Sequence, residues 1–442
     1  MLAGSHRLGL SALLALTLAF AVSGTAAAQA WLADRSRTEG RGIRVGDFEL
    51  HPGIGSEIGY DSNVFLSDDA EQDSAILRVA PHLYLSTLSG ERAAAGGAGA
   101  PPTLRFRTGV SGKLKHYFAT DQPTDLGVGQ DLQLVILPER TFSLELTEKY
   151  SRTIDPFVDP VDPATTGPAN YDRDQFEVGA KGVVQSRGGL LRGALGYTFG
   201  IDHFEGDEFA SNRSQRHTIS AESVYEFLPK TGVFWNGSFG IHHYANAPDP
   251  GLSRNDSRLV SSKVGLNGGL TEKVGFTVAV GYGAGFFEAD GDYENVIGQV
   301  ETRYRPIETL MWSLGYDREY NTAFQGNFAR IDRPKTSLQL MLGGEAVIGA
   351  RAELTFVSYG EEVAGARDDI QLSTNLNGEY RFTDWFAVTA ELGYLRNFTD
   401  YAFTAITDAG PDMTVGTADD VTVQDGAEYQ RWEAWLGVRA FL

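Results

Sequence analysis

Four carboxylates crowd one stretch near the end of the chain. In DAGPDMTVGTADD, Asp408, Asp412, Asp419 and Asp420 surround Gly410 and Gly416. Calcium takes oxygen ligands from a chain that turns sharply between them, so this composition could hold Ca2+. The spacing is not that of an EF-hand loop, and a solvated acidic loop is the competing reading. A second grouping has the opposite sign. Arg105, Arg107, Lys113 and Lys115 all occupy odd positions, interleaved with Leu104, Phe106, Val110 and Leu114. On a strand, alternate residues share a face, so these four would form one basic stripe opposite an apolar one. Their alternative role is simple solvation or pairing with acids on adjacent strands. The histidines offer less. His82, His116, His203, His217, His242 and His243 are scattered, with no nucleophile motif beside them. Adjacent strand positions point to opposite faces, so His242 and His243 cannot chelate one metal together. A non-enzymatic role is expected.

The elements that would position these residues repeat along the whole chain. Apolar and polar residues alternate in runs of about ten, the length of a transmembrane strand. Phe142, Leu144, Leu146 and Tyr150 show it, as do Val274 to Phe286, Leu310 to Tyr316 and Phe386 to Tyr394. No segment reads as a long amphipathic helix. The connections alternate too. Short ones such as Leu228-Pro229-Lys230-Thr231 and Leu270-Thr271-Glu272-Lys273 separate long ones at 154–172, 202–213, 245–256 and 399–427. Short turns on one side and long loops on the other predict an all-β fold, a single antiparallel transmembrane outer-membrane β-barrel of about 18 strands. Both chain ends would lie on the short-turn side. The Gly- and Ala-rich connection 87–102 breaks the rule, being long where a short turn is expected. A soluble β-sandwich would not carry so many strands or loops of alternating length.

The ends and the composition agree with this. Residues 1–28 have a weakly cationic start, an apolar stretch from Leu8 to Val22 and small residues Ala26-Ala27-Ala28, the layout of a secretory signal peptide. Residues 29–47 are then a short periplasmic segment and 48–442 the barrel, in the outer membrane of a Gram-negative bacterium. With no Cys, stability must come from hydrogen bonds and packing. A formal charge of −21 disfavours nucleic acid as a partner. The first 19 residues of a chain starting at Gln29 are too few for a plug domain, which argues against an energy-coupled transporter. The last strand, RWEAWLGVRAFL, puts Trp432, Ala434, Leu436, Val438, Ala440 and Leu442 on one face. It resembles the C-terminal strand by which the barrel assembly machinery recognises its clients, with the usual final Phe displaced to Phe441.

The charges sort by position. Loop 61–73 has five acids and no base, 154–172 four and none, 399–427 six and none. Such loops would face lipopolysaccharide and its bridging cations. Strand positions out of phase with the apolar face show a modest excess of bases. Near the start, GSEIGYDSNVFLSDDAEQD reads as the first outward strand, Tyr60 closing it at the outer interface and Asp61 and Asn63 forming an Asx turn. GYDSNVF, the acidic segment and ILRVAPHLYL together resemble the start of the β-barrel porin-2 family, whose members often accompany exopolysaccharide export genes. The resemblance implies a conduit for secretion of a polysaccharide, which would need a separate periplasmic export protein as partner. A general diffusion porin and a structural or adhesive surface barrel are the alternatives. If Asp408, Asp412, Asp419 and Asp420 hold Ca2+, a chelator will increase proteolysis within 399–427 and leave the barrel intact. Identical cleavage with and without Ca2+ leaves only the solvated loop.

Overall fold

A computed structural model describes residues 40, 42–68, 71–87, 103–119, 124–138, 140–153, 172–205, 207–245, 255–289, 291–323, 327–360, 367–408 and 421–442. The expected signal peptide, 1–28, lies outside them. A short strand β1 (Ile43–Val45) comes first. The wall begins with β2 (Phe48–Asp61), β3 (Ser74–Thr87), β4 (Leu104–Tyr117), β5 (Asp125–Ile136), β6 (Phe142–Thr153) and β7 (Arg173–Gln185). It continues through β8 (Leu191–Phe204), β9 (Ser214–Leu228), β10 (Thr231–Tyr244), β11 (Ser257–Gly269), β12 (Val274–Phe287) and β13 (Tyr293–Ile307). Then follow β14 (Leu310–Thr322), β15 (Phe328–Leu342), β16 (Ala346–Tyr359), β17 (Asp368–Thr383) and β18 (Phe386–Phe398). A hairpin, β19 (Ala402–Asp408) with β20 (Val421–Gly426), leads to the last wall strand, β21 (Tyr429–Phe441).

Each wall strand pairs antiparallel with its chain neighbours, and β21 pairs with both β18 and β2. The sheet therefore closes as an 18-stranded antiparallel barrel. Closure removes every free edge, the condition under which strands can cross lipid. No described helix is long and apolar enough to cross a membrane.

The alternation in the sequence becomes two faces. Leu195, Val280, Leu436, Ile58, Leu392 and Leu314 are each more than half exposed. They point outward, where lipid rather than water covers them. Aromatic residues band both ends of that surface: Phe142, Tyr225, Tyr304 and Trp312 near the turns, Tyr60, Tyr282, Tyr316 and Trp432 near the loops. An apolar belt with aromatic girdles around a closed barrel places the protein in the Gram-negative outer membrane. β2 starts and β21 ends on the same side as the short turns, and β1 folds back on Phe48 to Leu50 at that rim. The exception at 87–102 stands: β3 ends at Thr87 and β4 begins at Leu104.

Inward, large aromatics lie across glycines on the neighbouring strand. Gly109 pairs with Tyr84 and Gly59 with Trp435, and a Cβ on either glycine would stand inside the opposing ring. The ring fills the space of the missing side chain, which fixes register where a polar wall offers few apolar contacts. Gly109→Ala therefore displaces Tyr84 and costs about 1–3 kcal/mol, as overpacking does. Gly378→Ala, where a Cβ meets nothing within 4 Å, is the matched control. A heat-unfolding gel shift should fall for the first variant only. A tag inserted in 155–168 will be reached on intact cells, and one in 228–231 will not.

Candidate functional site

Arg105, Arg107, Lys113 and Lys115 share the inward parity of β4, opposite Leu104, Val110 and Leu114, which are exposed on the lipid side. The four span about 33 Å along the strand at 3.3 Å per residue. Arg107 sits over the Tyr84 ring at 5.1 Å. Lys115 is buried opposite Asp125, and Lys113 and Lys115 line a cavity of about 200 Å3 with Ser111, Asp125 and Gly129. The register corrects the expected excess of lumen bases. It turns nine further acids inward, among them Glu49, Glu57, Asp125, Asp131, Asp317 and Asp369, against six further bases, among them Arg78, Arg173, Lys263, Arg333 and Lys335. Acids and bases then nearly balance. Many pair across strands, as Arg78 does with Glu57 and Arg439 with Glu379 at 3.0 Å.

The outer end of the lumen is narrowed from within. The first loop begins with the expected Asx turn, the Asn63 amide donating to Asp61 Oδ1 at 3.0 Å. Asn63 Nδ2 donates to the carbonyls of Ser67 and Gln430, and Asn63 Oδ1 accepts from the Ser67 amide. This knot tips the loop inward. Val64 packs on Ile76, Tyr117 and Trp435, and Leu66, at φ +53°, is buried too. Asp68, Glu71 and Asp73 remain exposed, and Asp73 accepts from the Tyr60 hydroxyl at 3.0 Å. The loop is thus acidic outside and apolar underneath, where the sequence alone pointed to a surface loop throughout.

The β14–β15 tip also turns in. β13 pairs with β14 only from Gly298 onward, although it starts at Tyr293. Tyr320 of β14 stacks on Tyr293 at 4.7 Å, and Phe328 of β15 lies 5.0 Å from the same ring. Both thus pack against an inward-facing residue. Asn327 Nδ2 donates to the Ala289 carbonyl and Asn327 Oδ1 accepts from Asn255.

A buried ion pair holds the last long connection against the wall. Arg367 and Asp369 have fully buried side chains, joined at 2.5 Å. The Arg367 guanidinium lies 4.6 Å from the Tyr359 ring and 5.0 Å from the Tyr401 ring. Tyr401 belongs to the connection after β18 and covers Ala323, Ala329 and Val357. Asn397 Nδ2 donates to the Ala427 carbonyl at 3.0 Å, tying the other end of that connection down.

With these parts filling one side, a cavity of about 400 Å3 lies against β6–β10 and reaches across to Asn321, Thr322 and Ala323 at the β14–β15 tip. Lys149, Arg173, Glu177, Asp202, Arg216 and His242 line it, with Phe204 and Tyr244. Arg173 is paired with Asp202, and Arg216 with Glu177 at 3.3 Å. His242 faces in and meets Ser214 Oγ at 3.1 Å, whereas His243 faces out to Asp256. On the opposite, outward face of β6, at its loop end, Arg152 binds Asp172 at 3.0 Å and Glu205 at 2.7 Å. Partial burial and a hydrogen bond with Glu205 push the Asp172 carboxyl up, while the Arg152 guanidinium holds Glu205 down.

Sequence reasoning missed this cavity because its residues come from six strands with no local motif. Of the acidic group near the end, only Asp408 falls among the described residues, at the end of β19 and by backbone alone. Asp412, Asp419 and Asp420 lie outside them. Among the described residues no group of three His, Asp or Glu is arranged to hold a metal ion.

No known protein family matches the sequence, and no curated protein does. Solved structures similar to the chain are outer-membrane proteins. The FrpB iron transporter of Neisseria meningitidis (F5-1 variant) is 8% identical over 91% of this chain and 83% of its own, with a TM-score of 0.47. OpdL of Pseudomonas aeruginosa is 11% identical over 90% and 99%, with a TM-score of 0.45. The alcaligin outer-membrane receptor FauA of Bordetella pertussis is 12% identical over 90% and 77%, with a TM-score of 0.43. The closed wall, lipid-facing belt and polar, charge-lined interior are those of an outer-membrane channel.

Removing one partner of a buried ion pair leaves the other uncompensated and costs about 3–5 kcal/mol. Arg367→Ala should therefore release the connection after β18, with faster proteolysis in 399–427 and an intact barrel. The double variant Arg367→Met with Asp369→Leu should recover much of the protection. Equal cleavage of wild type and Arg367→Ala would show that the pair does not hold the connection.

Proposed function

We propose that the channel is a conduit for the secretion of a polysaccharide across the outer membrane. The observation that carries this reading is the narrowed outer lumen, where inward loops leave a cavity walled by paired charges and hydroxyls and backed by two aromatic rings. A hydrated chain can slide through such a wall by exchanging many weak contacts. The described lining is polar and charged, unlike a deep apolar pocket that would trap the chain. The likeness of GYDSNVF and ILRVAPHLYL to the β-barrel porin-2 family supports the same role. A separate periplasmic export protein would deliver the chain. The protein passes its substrate without chemical change. Ca2+ at the acidic connection 399–427 and contact with lipopolysaccharide belong to the same proposal, at the outer surface.

A general diffusion porin for small solutes is the second reading, and the balance of lumen charges favours it equally. Deletion of the gene separates the two. Loss of secreted polysaccharide with unchanged uptake of small sugars supports the conduit, and the reverse result supports the porin.

The basic stripe of β4 gives a further test. Fixed cations along a confined wall raise the local concentration of anions, more so at low salt. Because the lumen as a whole is nearly balanced, planar bilayers should show only a weak anion preference. It should disappear when Arg105, Arg107, Lys113 and Lys115 are changed to Gln. A cation-selective pore indifferent to those changes would mean that the acidic loops set the field.

A further inference from the structure

We infer that the cavity against β6–β10 is a binding subsite for a sugar acid, a ring bearing several hydroxyls and one carboxylate. This rests on the channel reading and names the substrate class of its narrowest described part. Three features select that ligand.

The first is charge. Two of the cavity's cations are matched, Arg173 by Asp202 and Arg216 by Glu177. Lys149 is exposed to the cavity and makes no ion pair or hydrogen bond among the described residues. The lining therefore sums to one positive charge, with Asp131 opposite Lys149 on β5 but outside the lining, enough to favour a monoanion over a neutral sugar. It is too little to hold a polyanion irreversibly.

The second is size. Phe204 and Tyr244 border the space only as a buried backing, Phe204 behind the Arg173 guanidinium 5.1 Å away and Tyr244 behind the His242 ring 4.4 Å away. At about 400 Å3 the cavity falls within the range of small-molecule sites, roughly 300–1,000 Å3. One or two sugar rings fit, a folded polymer does not.

The third is hydrogen bonding. Ser151, Gln175 and Ser214 on the wall face Asn321 and Thr322 on the inturned β14–β15 tip. These groups donate and accept, so they can exchange with sugar hydroxyls from both sides of the ring. The tip thus supplies the second wall of the site, which explains why a hairpin should leave its place beside β13.

The test uses the full barrel in detergent and in planar bilayers, with glucuronate as the probe and glucose as its neutral counterpart. Titration calorimetry in detergent should show saturable glucuronate binding. In bilayers glucuronate should reduce conductance at concentrations about fivefold or more below those needed for glucose, the scale of one half-exposed ion pair. Lys149→Gln should abolish that difference, whereas Lys263→Gln, a lumen cation outside the cavity, should keep it. Equal affinity for the two sugars, no binding of either, or a Lys149→Gln variant that still discriminates overturns the subsite. Binding in detergent by a barrel that conducts nothing would keep the subsite and remove the channel reading. Conductance without binding would do the opposite.

Discussion

Everything in this protein depends on leaving no backbone hydrogen bond unmade in lipid. An unpaired amide or carbonyl in hydrocarbon costs several kcal/mol, so the last strand must find the first. β21 does so from Gly53↔Phe441 to Asp61↔Glu433. Closure fixes the inside and the outside for all eighteen strands at once. Once Leu436 and Ile58 face lipid, Arg431 and Asp61 must face inward, and there they pair.

The interior then meets a different demand. A wall of this circumference encloses more space than its own side chains fill. Along β2–β4 and β15–β17 the chain fills that space with its own connections, held by the Asn63 knot and the Arg367–Asp369 pair. Along β6–β10 the described residues border a cavity of about 400 Å3. Where a described connection fills the lumen, it does so by carrying apolar residues to its underside. Val64 and Leu66 do this for the first loop, as Tyr401 does for the last.

The barrel was legible in the sequence because a period of two, sustained over runs of about ten residues, has few physical explanations. The strand limits around 228–231 and 270–273 follow from turn residues alone. The Asx turn at Asp61 and Asn63 was readable for the same local reason. What escaped was everything set by distant residues. Arg367 sits in no motif, and only the meeting of Tyr359 and Tyr401 around it makes it a clamp. The near balance of lumen charge was hidden too. Acids such as Asp131 and Asp317 stand in no motif, and the paired register, strand by strand, is what counts them into the lumen.

The sharing of one face by odd positions of β4 has an evolutionary corollary. A strand is read in steps of two, so loss of a single residue such as Gly112 would exchange the roles of everything beyond it. Lys113 and Lys115 would enter lipid and Leu114 the water. Removal of two residues would keep the faces and only shift their height. Within the wall, then, change is confined to substitution or to paired insertion and deletion. The connections carry no such parity, and their lengths are free to drift. Descendants of this chain should diverge fastest where the barrel meets the outside world, with the charged ladder of its interior altered one side chain at a time.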